Sequence, residues 1–379
     1  MNRLLFYFAL LILTSCSSKQ EKITIISNVG LFDGYSYKSN VNLAFDGEKI
    51  IEISEQTLKY KNANEIDGRG KTIIPPLLNA HVHVWRKNDL KEALNAGVFA
   101  LLDMHNTDSS SVELRGYRNN QDCAYYYSSG PGATVPAGHG TEYGVYVPTI
   151  NHSVSPQQFI KDRINNGSDY IKIFREPCMP TLNYTQIKEV ITTTHTNNKL
   201  AVAHVSLAKD AAVIGEQHID GFAHLWFDTT ATETQWDSIT RYKAFIIPTL
   251  YVTTGLVQSW KGKEFIDEWL VEENILKEAK KAYEKGMTIL AGTDAPNLNF
   301  NYGTDLYQEL KLLSKAGIPN IDVMKAATTN VSTCFKLKEF GPLEKGKPSS
   351  FILINGNPLH NINDIEKIEG IWKLGRRIK

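Results

Sequence analysis

The stretch Pro75-Pro76-Leu77-Leu78-Asn79-Ala80-His81-Val82-His83 combines an apolar run with two histidines that are separated by one valine. Alternate residues of a β-strand point to the same face, so both imidazoles would project from one side of a strand. Imidazole is a common ligand of zinc and of neighbouring metals. The stretch therefore favours a metal site on a strand, although a chain with 10 histidines also produces this spacing by chance.

Strand-like and helix-like segments alternate on the C-terminal side of this stretch. After the run from Ile73 to Val84, apolar runs of strand length lie near residues 98–102, 124–128, 170–174, 200–205, 221–225, 245–250 and 288–293. Helix-like segments between them include residues 184–195, 207–217, 262–285 and 303–316. About eight such units predict a (β/α)₈ TIM barrel over residues 76–343. A doubly wound sheet is the alternative, but no Gly-rich phosphate fingerprint follows the first strand.

The two ends of the chain have a different pattern, of short strands and turns. Residues 23–75 contain the alternating stretch Val41–Phe45, and residues 344–379 contain the β-rich run Phe351–Ile354 before an Asn-Gly turn signal. We expect these residues to form a small β-sandwich module built from both chain ends.

The first residues have the pattern of a targeting segment. Arg3 precedes an unbroken apolar run from Leu4 to Leu13, which is shorter than the about 20 residues that span a bilayer. Leu13-Thr14-Ser15-Cys16 resembles a bacterial lipoprotein signal. Residues 1–15 are therefore predicted to be a signal peptide, Cys16 to be lipidated and residues 16–22 to form a tether. The expected location is the extracytoplasmic side of the bacterial cell envelope, and an ordinary secretory signal is the alternative.

Composition argues against several classes of partner. Lys+Arg and Asp+Glu both number 41, so the formal net charge is zero and a nucleic-acid partner is not expected. The spacing of Cys123, Cys178 and Cys334 matches no zinc motif and no disulfide framework, so they are interpreted as mostly buried apolar side chains. A small-molecule substrate is expected, with membrane contact through the lipid anchor only, and a homo-oligomer is left open.

Polar residues end several later strands of the predicted barrel. His204 and His224 each follow an apolar run, and Asp294 ends the run that begins at Thr288. Active sites of (β/α)₈ barrels lie at the carboxyl ends of the strands, where these residues would meet His81 and His83. A single such residue is more often structural, and an aspartate there is often a turn or cap residue.

Lys172 lies between Ile171 and Ile173 in an alternating strand. If the isoleucines face the helices, the lysine faces the barrel interior, where an unpaired charge is costly. Three further residues are candidates for contact with a substrate: His139 in a Gly-rich loop, Arg175 at the rim and Tyr251 just after a strand. Each has an ordinary alternative as a loop or surface residue.

The order H-x-H, Lys, His, His and Asp on successive strands resembles the binuclear amidohydrolases. The most similar groups are the imidazolonepropionase-like amidohydrolases and the Xaa-Pro or Xaa-Arg dipeptidases. Further stretches that carry the resemblance are Ser129-Gly130-Pro131-Gly132, Ala137-Gly138-His139-Gly140, Gly292-Thr293-Asp294 and Gly356-Asn357-Pro358-Leu359. The sequence departs from the family at Asn79, where an aspartate is usual.

The resemblance implies a role for each residue. His81 and His83 would bind one divalent metal ion, and His204 and His224 a second, with Zn²⁺ the expected metal. Lys172 would be carboxylated and bridge the two ions. Asp294 would contact the metal and transfer a proton from the attacking water to the leaving amine.

The resulting prediction is a metal-dependent hydrolase that cleaves an amide-type C–N bond in a small substrate, such as a dipeptide or an N-acyl amino acid. Two alternatives remain open. One is a mononuclear deaminase or cyclic-amide hydrolase in which Lys172 is not carboxylated. The other is a lipid-anchored binding protein that has kept the barrel without activity.

Overall fold

The computed structural model describes residues 22–260 and 269–379. The predicted signal peptide and Cys16 lie outside the described residues, as does the predicted tether apart from Lys22. Within the described ranges, no helix has both the length and the apolar character that a membrane span requires.

The described chain contains fifteen strands and eleven α-helices. The strands are β1 (Thr24–Phe32), β2 (Tyr37–Phe45), β3 (Ile50–Ser54), β4 (Asn64–Asp67), β5 (Lys71–Ile74), β6 (Leu77–Val82), β7 (Val98–Asp103), β8 (Tyr125–Ser128), β9 (Ile171–Arg175), β10 (Ala201–Val205), β11 (Gly221–Ala223), β12 (Phe245–Ile247), β13 (Phe351–Asn355), β14 (Ile368–Lys373) and β15 (Arg376–Arg377). The helices are α1 (Lys87–Asn95), α2 (Asp108–Arg115), α3 (Pro156–Asn165), α4 (Tyr184–Thr196), α5 (Ala208–Gly215), α6 (Glu233–Thr240), α7 (Leu250–Trp260), α8 (Glu272–Glu284), α9 (Asp305–Lys315), α10 (Asn320–Ala326) and α11 (Thr329–Cys334).

Strands from both chain ends form one eight-stranded sheet. Its order is β15-β14-β13-β5-β1-β2-β3, and β4 pairs with β1. The two ends meet where β13 pairs antiparallel with β5, with Ile352 opposite Ile74. This sheet contains the strands expected from both ends of the chain, whereas their arrangement as a sandwich stays a prediction.

Alternation along β13 gives this sheet two different faces. Phe351 and Leu353 pack in a separate core, where the rings of Phe351 and Trp372 stack with centroids 5.1 Å apart. Ile352 and Ile354 point to the other face and belong to the main core of the protein. Because successive side chains of a strand point to opposite faces, one short strand joins the sheet to the rest of the fold.

The remaining strands are parallel and are followed by helices, as in an α/β fold of the TIM-barrel type. Strands β6-β7-β8 form one sheet, and β9-β10-β11-β12 form another. Parallel bridges extend this pairing, between Ala133 and Ile173 and between Ile246 and Ile289. The apolar residues of these strands form the large central core.

The predicted strand from Thr288 to Asp294 is reduced to a single bridge at Ile289. Its backbone N–H groups donate to three different partners: Leu290 to Ile246, Ala291 to Ala326 and Asp294 to His81. No continuous ladder with one neighbour forms because these bonds change partner along the segment. The segment still connects β12 to β6 and places Asp294 at the end of β6. The helix predicted over residues 262–285 is described only as α8.

Candidate metal centre

Four of the six predicted ligands lie at or just beyond the carboxyl ends of parallel strands, whereas Lys172 is the second residue of its strand and Asp294 lies in the segment that follows α8. His81 and His83 come from the end of β6, Lys172 from β9, His204 from β10, His224 from the residue after β11, and Asp294 from the segment that pairs with β6. Each strand that carries a histidine has an apolar, buried body, so its polar side chain projects at the end where the sheet opens.

Short distances connect these side chains. Asp294 Oδ1 lies 3.2 Å from His81 Nε2 and 3.0 Å from His83 Nε2. Lys172 Nζ lies 3.5 Å from His81 Nε2. The ring centroid of His224 is 4.5 Å from that of His81 and 4.7 Å from that of His204. The structure therefore brings all six predicted ligands into one cluster.

Hydrogen bonds distinguish the two ring nitrogens in three of the histidines. His83 Nδ1 lies 3.1 Å from the backbone oxygen of His105, which only accepts, so Nδ1 carries a proton and Nε2 is the nitrogen turned towards Asp294 Oδ1. Thr249 Oγ1 donates to Pro248 O and therefore accepts from His224 Nδ1 at 2.8 Å, which leaves His224 Nε2 free. Such bonds are the usual way in which ligand histidines are oriented.

His204 has the opposite arrangement. Its Nε2 lies 3.4 Å from Glu176 Oε2, so a proton on Nε2 leaves Nδ1 as the free nitrogen. Burial opposes the ionisation of Glu176, but the hydrogen bond and charge of His204, together with hydrogen bonds from Cys178 N and Ser206, outweigh it and lower the pKa of this carboxyl to about 2. Glu176 is thus an anionic partner that orients His204.

Burial also determines the protonation of the cluster. It lowers the pKa of His81 to about 3 and that of His204 to about 4, and it lowers the pKa of His224 as well. Neutral imidazole is the form that binds metal ions. The Nδ1 of the buried His81 has no hydrogen-bond partner among the described residues. At His83 burial also lowers the pKa, but the hydrogen bond and charge of Asp294 outweigh it and raise the pKa of this imidazole. Neutral His81, His204 and His224 around a carboxylate, with donor atoms of His81, His224 and Asp294 within 4.8 Å of one another, fit a divalent ion such as zinc.

Three residues of the centre have a left-handed backbone. The φ angles are 70° at His224, 49° at Thr249 and 59° at Asp294. This conformation is rare for residues other than glycine and is an outlier for a β-branched threonine. Strain of this kind concentrates at functional sites, where the surrounding structure maintains it. The sequence holds no glycine or other signal that would have predicted these turns.

Three supporting residues were missed in the sequence. Besides Glu176, these are Asp103, which accepts from Asn106 Nδ2 at 2.8 Å and Tyr126 OH at 2.7 Å, and His105, which follows it. His105 Nδ1 accepts from Gly132 N, and its Nε2 lies 3.0 Å from Gly140 O. Asp103 ends an apolar run in the same way as His204, so the pattern used for the ligands would have found it.

The three predicted substrate contacts have different surroundings. His139 lines the cavity above the cluster, and its Nδ1 lies 2.6 Å from Glu142 Oε1. Arg175 donates to the buried Asp210 at 3.1 Å and to Leu182 O at 2.9 Å. Tyr251 stacks on Phe300 with ring centroids 4.2 Å apart. Of the three, the structure places only His139 among the residues that line the cavity.

Asn79 has a structural role that a carboxylate would not fill. Its Nδ2 donates to Thr293 Oγ1 at 2.9 Å and to Tyr302 O at 3.3 Å, while its Oδ1 accepts from Thr293 N. The amide thereby joins β6 to the segment that carries Asp294. An aspartate could not donate either bond.

The cluster forms the floor of a cavity of about 350 Å³. Polar residues of the floor that face the cavity are His83, His139, Lys172, Glu176, His204, His224 and Asp294. The size of the cavity fits a small organic substrate.

Comparisons with known proteins concern the family and the fold. Residues 265–378 match the model of the amidohydrolase family, and of the six predicted ligands only Asp294 lies within that match. A search of curated protein sequences finds no match.

Solved structures resemble the whole described fold. A Xaa-Pro dipeptidase with bound methionine in its active site is 19% identical, with 94% of this chain and 100% of that chain covered and a TM-score of 0.80. A prolidase complexed with N-methylphosphonate-L-proline is 16% identical over 94% of this chain and all of that chain (100%), with a TM-score of 0.77. The A. niger ochratoxinase is 18% identical over 95% of this chain and 96% of that chain, with a TM-score of 0.77.

At these identities the structural likeness establishes the fold, which is the TIM-barrel type of the amidohydrolases. Together with the family match, it confirms the predicted resemblance to the amidohydrolase superfamily. The family match indicates a hydrolase that acts on carbon–nitrogen bonds.

Proposed function

We propose that this chain is a two-metal hydrolase that cleaves an amide-type C–N bond of a small substrate on a (β/α)₈ barrel. The observation that carries the proposal is the convergence of four histidines, Lys172 and Asp294 in one cluster, whose members other than His81 line one cavity. Dipeptides and N-acyl amino acids are the substrates that the resemblance implies, and one solved relative is a Xaa-Pro dipeptidase.

His81 and His83 would hold one divalent ion and His204 and His224 the other, with Lys172 between them. The Nε2 atoms of His83 and His224 and the Nδ1 of His204 would be the ligand atoms. Bound divalent ions supply Lewis-acid activation of water and of the scissile carbonyl.

Lys172 is suited to carboxylation. Burial lowers the pKa of its amine to about 7, so a substantial neutral fraction is present near neutral pH. The neutral amine adds to the carbon of carbon dioxide, forming an N–C bond, and one N–H proton leaves to solvent. The product is an anionic carbamate, which replaces a buried cation by oxygen ligands between the two pairs of histidines.

Asp294 is the proposed proton carrier. Its Oδ1 faces His81 and His83, and its Oδ2 accepts from Asn297 Nδ2 at 2.8 Å. Asn297 thereby fixes the plane of the carboxylate. Asp294 takes a proton from the attacking water and gives it to the nitrogen of the leaving amine.

A single-metal enzyme is the second candidate, because the donor atoms of His81, His224 and Asp294 alone lie within 4.8 Å of one another. In that case Lys172 would stay an amine. The reaction would be a deamination or the opening of a cyclic amide.

The test of the proposed function is metal-dependent hydrolysis. Purified protein is assayed for amine release from a panel of small amides before and after prolonged chelation. We expect chelation to abolish hydrolysis and Zn²⁺, Mn²⁺ or Co²⁺ to restore it. Full activity of thoroughly metal-free protein would contradict the proposal.

We also propose a lipid anchor in the cell envelope, which the Leu13-Thr14-Ser15-Cys16 pattern supports. In a bacterial host, the protein should fractionate with membranes and Cys16→Ala should release it. A soluble cytoplasmic protein that retains residues 1–15 would refute this location.

A further inference from the structure

The cavity above the metal centre has a second side that is apolar. Six residues form it, and we call them the apolar wall: Phe227, Val252, Leu256, Val257, Leu270 and Leu298. Thr253 and Asn297, which are polar but uncharged, line the cavity beside them. A small substrate that reaches the floor must therefore place part of its surface against these side chains.

Helix α7 supplies half of the apolar wall. Val252 and Leu256 are four residues apart and so lie on the same face of the helix. Leu298 packs against this helix at Gly255, where an added Cβ would lie 2.8 Å from Leu298 Cδ1. The missing side chain at Gly255 thus lets Leu298 approach α7 and close the apolar wall.

The lining residues that the structure describes offer no cation for a substrate carboxylate apart from Lys172. Lys172 is assigned to the metal centre, and the other ionisable side chains of the floor are histidines and the acidic Glu176 and Asp294. Arg175, the nearest arginine in sequence, is held by Asp210, whose side chain is fully buried. A carboxylate placed against the apolar wall would lose its hydration without gaining an ion pair, which is costly.

The position of Asp294 indicates where the leaving nitrogen of a substrate would lie relative to the apolar wall. In the proposed reaction the leaving nitrogen takes its proton from Asp294, so this nitrogen must lie beside that carboxylate. Asn297, which holds Asp294, directly precedes Leu298 in the chain. Because Asn297 and Leu298 both line the cavity, the apolar wall begins close to Asp294, within reach of a substituent on this nitrogen.

We propose that the substrates are amides whose leaving amine carries an uncharged, apolar substituent, in preference to amino acids with a free carboxylate. This inference rests on the proposed function, which it narrows. It departs from the substrates that the resemblance implies, because dipeptides and N-acyl amino acids both release an amine that bears a carboxylate.

Binding of two matched analogues tests the apolar wall without turnover. N-methylphosphonate derivatives of pyrrolidine and of L-proline differ only in one carboxylate. Their dissociation constants for the metal-loaded protein are measured by calorimetry. We expect the pyrrolidine derivative to bind on the order of 10- to 100-fold more tightly, as for a buried carboxylate without a partner. Tighter binding of the proline derivative, or binding of neither, would overturn the assignment.

A charge placed in the apolar wall should reverse this preference. Leu256→Arg should favour the proline derivative, whereas Val213→Arg, at an exposed position of α5 away from the cavity, should leave the preference unchanged. An unchanged preference in a folded Leu256→Arg protein would overturn the inference. Hydrolysis of amides is measured separately. If the protein discriminates between the analogues but hydrolyses no amide, the proposed function is refuted. If it hydrolyses amides but prefers the proline derivative, only the inference about the apolar wall is refuted.

Discussion

Two lysines of the described chain are almost fully buried, and their surroundings differ. Lys373, at the end of β14, donates to Cys123 O at 2.6 Å and to Asn120 O at 2.9 Å. Its Nζ also lies 4.6 Å from the ring centroid of Tyr125. Lys172 Nζ, by contrast, lies 3.5 Å from His81 Nε2, so its polar contact is with an imidazole nitrogen and not with an oxygen.

The contacts of the two lysines distinguish a structural region, around Lys373, from a functional region, around Lys172. A buried ammonium is stable when carbonyl oxygens accept hydrogen bonds from it. The ammonium of Lys373 has such bonds, between the eight-stranded sheet and the loop before β8. Burial lowers the pKa of both amines, so the contrast lies in their contacts: no carbonyl oxygen of the described residues lies within hydrogen-bond distance of Lys172 Nζ. This contrast supports a role for Lys172 in which carboxylation or a metal ion completes its surroundings.

The largest expected effect on catalysis is at Asp294, in the functional region. Asp294→Asn keeps the shape and one oxygen but cannot accept the proton. We expect metal content to survive in good part while kcat falls by about 10²–10⁴-fold. If Asp294 were only a turn or cap residue, the variant would lose about 1 kcal/mol of stability with near-normal turnover. Measurement of kcat, metal content and Tm on this variant distinguishes the two.

Lys172→Met should lower metal content and turnover together. Removal of the bridging ligand should cost more than the about 10–100-fold that loss of an outer hydrogen-bond partner costs a metal site. Stability should stay constant or rise, because an apolar side chain of similar length replaces a buried amine. Metal analysis, kinetics and thermal unfolding check these outcomes. Full metal content in an active Lys172→Met protein would refute the bridge and leave the mononuclear alternative.

Lys373→Met is the matched variant in the structural region. It leaves the oxygens of Asn120 and Cys123 without their donor, so we expect a loss of about 1–3 kcal/mol in the free energy of unfolding. The kcat of the folded fraction and the metal content should stay unchanged. A loss of turnover without a loss of stability would show that the two lysines do not differ as described.

The smallest effect concerns Glu309 of α9, whose Oε2 accepts from Tyr251 N in the first turn of α7. Burial raises the pKa of this carboxyl from 4.5 to about 8. Between these values the folded state binds more protons than the unfolded state, so stability falls as pH rises. Glu309→Gln keeps an acceptor and removes the titration.

Thermal unfolding across this pH window checks the prediction. The Tm of the wild type should fall relative to that of Glu309→Gln as pH rises, at about 2–4 °C per kcal/mol. Parallel curves for the two proteins would show that Glu309 does not bind a proton in this range.

Most of the fold follows from local sequence patterns. Apolar runs that end in a polar residue predicted β7, β8, β9 and β10 closely, because a buried parallel strand needs an unbroken apolar stretch. The same logic failed at Thr288–Asp294, whose hydrogen bonds go to three different parts of the chain. Tertiary contacts of that kind leave no trace in a local pattern.

The residues of the site likewise fall into those that the sequence predicts and those that only the fold reveals. The four histidines were predictable since each lies at or just after the end of a strand, and the carboxyl ends of parallel strands meet. Lys172 was predictable from the alternation of β9 instead, and Asp294 from an apolar run that forms no regular strand. Arg175 could not be judged from sequence, because its partner Asp210 is a buried residue of the next but one helix. The apolar wall was also beyond prediction, as its members come from α7 and from loops that only the fold brings together.

Two divalent ions are proposed to complete the cluster around Lys172. Elemental analysis of purified, active protein measures the metal content per chain and tests this most directly. We expect two divalent ions per chain, and one ion per chain would favour the mononuclear alternative. Full hydrolytic activity with no bound metal would refute a metal-dependent hydrolase.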